Sequence, residues 1–86
     1  MNATKDYVLY ALCLEQLQEI EAEVIERVKQ PIYKEEMDAY NRIADALFDI
    51  LSGAAVRQRV QRKNMKEASE VRQRIGEVLE WNMSHN

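Results

Sequence analysis

Carboxylates at helical spacing are the first residues here that could do chemistry: Glu23 with Glu26, and Glu35 with Asp38, each stand three apart. On a helix that spacing puts two oxygen ligands on one face, the arrangement an all-helical metal enzyme needs. The only thiol, Cys13, has His85 as its one candidate base, so it reads as a small buried hydrophobe rather than a nucleophile. A third candidate is cationic. Between Arg57 and Arg74 seven basic residues stand against Glu67 and Glu70, a cluster able to neutralise phosphates, with Arg57, Arg59, Arg62, Lys63 and Lys66 at its centre. No aromatic side chain is interleaved there for base stacking. The first part of the chain carries Glu15, Glu19, Glu21, Glu23 and Glu26, so pairing between helices, within or between chains, is the competing use of the basic segment.

The elements that must position these groups are helices. Only Gln30-Pro31, Ser52-Gly53 and Arg62-Lys63-Asn64 interrupt helical composition, and no segment alternates with the period of a strand. Tyr10, Cys13, Leu17, Ile20, Val24 and Val28 recur at steps of three and four and predict a first helix over about 3–29. Pro31 lacks an amide proton and disfavours helix at Gln30, so the chain is expected to break there and restart with Pro31 in the first turn. Tyr33, Met37, Tyr40, Ala44, Leu47 and Leu51 form the second stripe, widened by Ile43, Phe48 and Ile50, over about 32–52, with Gly53 as its terminator. Residues 54–62 predict a short helix or an arm. Asn64 with Glu67 resembles a capping pair opening a last helix over about 64–82, whose stripe is Ala68, Val71, Ile75, Val78 and Leu79. Gly76 sits inside it, where it disfavours the helix but permits close approach of another.

The fold class this predicts is all-α, a single domain over 1–86: a helical hairpin plus a third helix, the bundle completed within the chain or by oligomerisation. Of the 86 residues 47% are hydrophobic and 31% charged, with 2 Gly, 1 Pro and 1 Cys, a composition that excludes disordered, collagenous and disulfide-scaffold classes. The apolar run Tyr7 to Leu14 falls far short of the roughly 20 residues of a membrane span, and no leader pattern precedes it. The chain reads as mature from Met1 and cytoplasmic. Its formal charge of −3 hides an asymmetry, with five basic against eleven acidic groups in residues 1–50 and seven against four thereafter.

The two acidic pairs resemble the ExxE and ExxD motifs of MazG-type nucleotide pyrophosphohydrolases. The likeness covers Glu23 to Asp38 and implies magnesium at Glu23, Glu26, Glu35 and Asp38 with hydrolysis of nucleoside triphosphates. Eight residues separate the pairs, fewer than that family uses to turn from one helix into the next, and Pro31 lies between them. A di-iron centre is excluded by the missing Glu-x-x-His element. In size and in its tyrosine and aliphatic stripes the chain is also similar to the small helical-hairpin co-chaperones of type III secretion needle subunits.

Apolar residues around a second face of the first helix, Tyr7, Val8, Leu9 and Leu12, together with Trp81 near the other end, are the expected partner-binding residues. The function this supports is a small helical protein–protein interaction module of the adaptor, co-chaperone or inhibitor type, of bacterial or phage origin, acting on another protein or on itself as a homodimer or higher oligomer. The alternatives are a nucleic-acid-associated regulator using the basic segment 57–74 and, third, the metal-dependent hydrolase. The leading reading assigns no cofactor, no metal, no catalytic residue and no membrane.

Overall fold

A computed structural model describes residues 2–58 and 62–85, with side chains over 7–57 and 65–84. Its three helices are α1 (Asn2–Arg27), α2 (Lys34–Gln58) and α3 (Arg62–His85), with no strand among the described residues. Side-chain pairs between the helices set the topology. Glu23 meets Tyr40 and Arg27 meets Glu36, so α2 runs antiparallel to α1. Gln18 meets Glu67, Glu21 meets Arg74 and Val28 meets Asn82, so α3 runs parallel to α1, and the bundle is up-down-up. It measures 48 × 21 × 16 Å, with a radius of gyration of 14.1 Å against the about 12 Å of a rounder chain this long.

Apolar stripes explain the helices. Tyr10, Cys13, Leu17 and Val24 from α1 are buried with Ala44 and Leu51 from α2 and Ala68, Val71, Ile75 and Leu79 from α3. Ile20, Val28, Met37, Tyr40, Leu47, Phe48 and Val78 pack partly buried against them. Each stripe is one face of a 3.6-residue period, so three such faces closing on one another remove the apolar area from water.

The clearest differences from the sequence reading lie at the helix boundaries. After Arg27 the chain tightens to i→i−3 bonds, Lys29 N–H to Glu26 O and Gln30 N–H to Arg27 O, and leaves the helix. Pro31 does not open α2. It stands three residues ahead, and the Tyr33 carbonyl accepts the amides of both Glu36 and Met37 at 3.1 Å, which makes Tyr33 the cap. Tyr33 is therefore not a core residue, and it is 79% exposed. The Arg27 guanidinium holds this turn: Nε and Nη2 donate to Glu36 at 2.5 and 2.8 Å, and Nη1 donates to the carbonyls of Gln30 and Pro31.

Gly53 does not end α2 either. It adopts ordinary helical backbone, and the helix runs on to Gln58 because Ala54 and Ala55 continue the buried face beyond Leu51. Residues 54–58 are thus the last turn and a half of α2, not a separate arm, while 59–61 lie outside the described residues. Asn64 falls inside α3, which begins at Arg62, so the Asn64–Glu67 pair is not its start. Near the far end of α3 the fully buried Asn82 donates from Nδ2 to the Val28 carbonyl at 2.9 Å, tying α3 to the end of α1.

Candidate functional site

The acidic pairs meet cations and a phenol. Tyr40 donates its hydroxyl to Glu23 at 3.3 Å, Lys29 reaches Glu26 at 3.0 Å and Lys34 stands 3.7 Å from Asp38. Burial and the neighbouring Glu23 carboxylate push the Tyr40 phenol above its usual pKa. Glu35 is exposed in the first turn of α2. Only the first pair lines the groove of about 400 Å³ at the α1–α2 turn, where Glu23 and Glu26 stand with Arg27, Lys29, Gln30 and Tyr40; Glu35 and Asp38 are not among its lining residues. Among the described residues no three or more His, Cys, Asp or Glu side chains are placed to hold a metal ion. Cys13 is buried, and desolvation pushes its thiol up, away from the reactive thiolate.

The basic segment divides. Arg59 lies outside the described residues, as do the side chains of Arg62 and Lys63. Arg57 is exposed, and Lys66 stands 3.9 Å from Glu70, one turn on. Farther along α3 the arginines turn to acidic partners on both other helices. Arg74 Nε donates to Glu21 at 2.5 Å, a bond that holds its guanidinium charged even more firmly than usual, and Arg72 bridges to Asp45 at 2.7 Å and to the Asn41 amide oxygen at 3.1 Å. Pairing between helices thus engages Arg72 and Arg74.

Helix geometry places the exposed aliphatic residues. Glu23 marks the edge of α1 that meets α2, and Leu12, eleven residues earlier, falls on the same row within about 20°, with Val8 one turn beyond and about 60° from that row. Glu36 marks the matching edge of α2, and Ile43 and Ile50, seven and fourteen residues on, follow its row within about 40°. Val8 is 49% exposed, Leu12 53%, Ile43 50% and Ile50 48%. The two rows flank the α1–α2 seam on the side away from α3, which meets α1 at Glu21 and α2 at Asn41 and Asp45.

The residues expected to bind a partner divide between faces. Val8 and Leu12 belong to this one. Leu9 packs partly buried against the core, and Tyr7, though 62% exposed, lies fourteen residues before Glu21 and so on the α3 edge. Trp81 is 57% exposed but follows the Arg74 row, level with the end of α1 and about 23 Å along the bundle from Leu12. The residues expected to bind a partner therefore do not share one face. Ile43 and Ile50, which widen the second stripe in the sequence, are exposed; their i, i+7 spacing off the main stripe is the signal that marks a second row.

No described helix is long and apolar enough to cross a membrane. No protein-family model, curated protein or solved structure matches this chain.

Proposed function

We propose that this protein is a helical interaction module whose working surface is the α1–α2 face and whose first partner is a second copy of the chain. The single observation that carries it is the double row Val8, Leu12, Ile43 and Ile50, four aliphatic side chains left about half exposed on one face of a bundle that buries its other stripes. A two-fold axis parallel to the helices lays α1 of one copy along α2 of the other. Leu12 then stands level with Ile50, because residue pairs across the seam sum to 63 (Arg27 with Glu36, Glu23 with Tyr40).

Charge supports the same pairing. Glu15 and Glu19 are exposed on the outer flank of α1 and Arg42 on that of α2, and Glu19 stands within about 3 Å of Arg42 in height. The face is only about 18 Å long and two helices wide, well below the roughly 800 Å² per partner of a permanent complex, so association belongs in the micromolar range. In this reading the chain works without metal or cofactor in a reducing, cytoplasm-like compartment, in keeping with the buried thiol of Cys13.

Light scattering across micromolar to millimolar concentration tests it. The mass is expected to climb from 10.1 kDa toward twice that value, and Ile43→Glu/Ile50→Glu to remain monomeric with unchanged helicity. Arg42→Glu weakens association and Glu19→Arg added to it restores association. A monomer at every concentration, or an oligomer indifferent to all four substitutions, refutes the assignment.

A further inference from the structure

Gly76 is not explained by the bundle. It lies in the interior of α3 with ordinary helical backbone, where glycine destabilises relative to alanine, and a Cβ built on it would meet only the Arg72 Nη1 atom, at 3.4 Å. No other helix approaches it closely enough to need the missing side chain. What the glycine does is leave room in the floor of a trough of about 640 Å³ between α2 and α3, with Met37 and Met83 among its apolar walls.

From this open floor and the charge of its rim we propose that the α2–α3 groove receives a cationic amphipathic helix from another protein. Arg72, the one cation lining the groove among the described residues, is drawn to the α2 wall by Asp45 and Asn41. Glu77 and Glu80 stand exposed on the α3 rim, and Glu77 accepts only the Gln73 amide, at 2.9 Å, so the rim presents two carboxylates with no cation paired to them among the described residues. A helix laid in the trough brings its backbone down onto Gly76, its apolar anchors against two methionines whose unbranched side chains adapt to varied shapes, and its lysines or arginines to Glu77 and Glu80. Opposite charges along the rim select cationic over acidic helices and set the orientation. The proposal stands on a different face from the α1–α2 seam and is independent of it.

The experiment titrates the full chain with a synthetic lysine–leucine amphipathic helix and with its glutamate–leucine counterpart, following the methyl resonances of methionine, valine and leucine. The cationic peptide is expected to shift the Met37 and Met83 methyls and the acidic one to leave them in place. Gly76→Leu fills the floor and is expected to weaken binding at least about tenfold while melting no lower than the parent, and Glu77→Lys/Glu80→Lys to weaken it similarly with wild-type helicity. If Gly76→Leu folds poorly, Gly76→Met and the rim variant carry the test. Equal affinity of parent and floor-filled variants, equal binding of the acidic peptide, absence of saturable binding, or shifts confined to Val8 and Leu12 each overturn the proposal. So does a groove filled by a second copy, read as methionine shifts that grow with protein concentration alone.

Discussion

Replacing Asn82 by alanine removes the polar contact that pins α3 to the α1–α2 turn. Asn82 is fully buried and gives the Val28 carbonyl a hydrogen bond of 2.9 Å; its second contact, to the Gln30 carbonyl at 3.5 Å, is at the limit of such bonds and counts for little. Loss of the first bond leaves a part-buried carbonyl without this donor, a cost of about 1–3 kcal/mol, and the void adds under about 1 kcal/mol. Alanine returns about 0.5 kcal/mol in helix propensity. The net loss is about 2 kcal/mol, which in a domain of this size lowers the melting temperature by roughly 8–16 °C. Asn82→Asp sharpens the test, because it keeps the shape but turns an acceptor toward carbonyl oxygens. Burial and those carbonyls hold its folded pKa above the usual value of about 3.9, so its stability is greatest below that value and is lost as pH rises through the folded one. Thermal unfolding followed by far-ultraviolet circular dichroism at about pH 3 and about pH 7 reads both effects. A melting temperature for Asn82→Ala within about 2 °C of the parent, together with an aspartate variant indifferent to pH, would refute the anchoring role.

Gly53→Ala is expected to stabilise by about 0.5–1 kcal/mol in urea titrations, since the added Cβ meets only the flexible Arg57 side chain at 3.4 Å inside a continuous helix. Cys13, buried with its thiol pushed up by desolvation, is expected to react with a disulfide reagent at neutral pH only at the rate the chain unfolds; rapid native-state labelling would place it elsewhere. Burial, helped by the charges of Glu67 and Glu23 respectively, pushes the phenols of Tyr10 and Tyr40 up, so each contributes stability that is fully present below its unfolded pKa of about 10 and lost as pH rises through the folded value. Alkaline urea titrations should show that fall, and Tyr40→Phe should make it shallower.

Much of the fold is legible in single residues. Tyr10, Cys13, Leu17 and Val24, and then Ala68, Val71, Ile75 and Leu79, announce their helices by period, and all eight are buried. Helix ends are harder to read. A glycine or proline disrupts a helix only when tertiary contacts do not favour its continuation, and the buried Ala54 and Ala55 carry α2 through Gly53. Tyr33 misleads for a related reason: it keeps the spacing of the stripe yet stands one residue before the helix that would have turned it inward. Asn82 has no sequence signal, because an asparagine is as common on an exposed turn as beneath a packed helix end.

The candidate surfaces divide along the same line. By itself the sequence determined three amphipathic helices, their stripes, the apolar excess on the first and the widened stripe of the second, since a 3.6-residue period is a local property of each segment. Which excess remains exposed was decided only by the tertiary structure. The α1–α2 pair has two sides, and α3 closes the one marked by Glu21, Asn41 and Asp45, leaving Leu12, Ile43 and Ile50 to solvent on the other. Gly76 likewise acquires meaning only once α2 lies beside α3, because a groove is a relation between two helices and neither one encodes it alone.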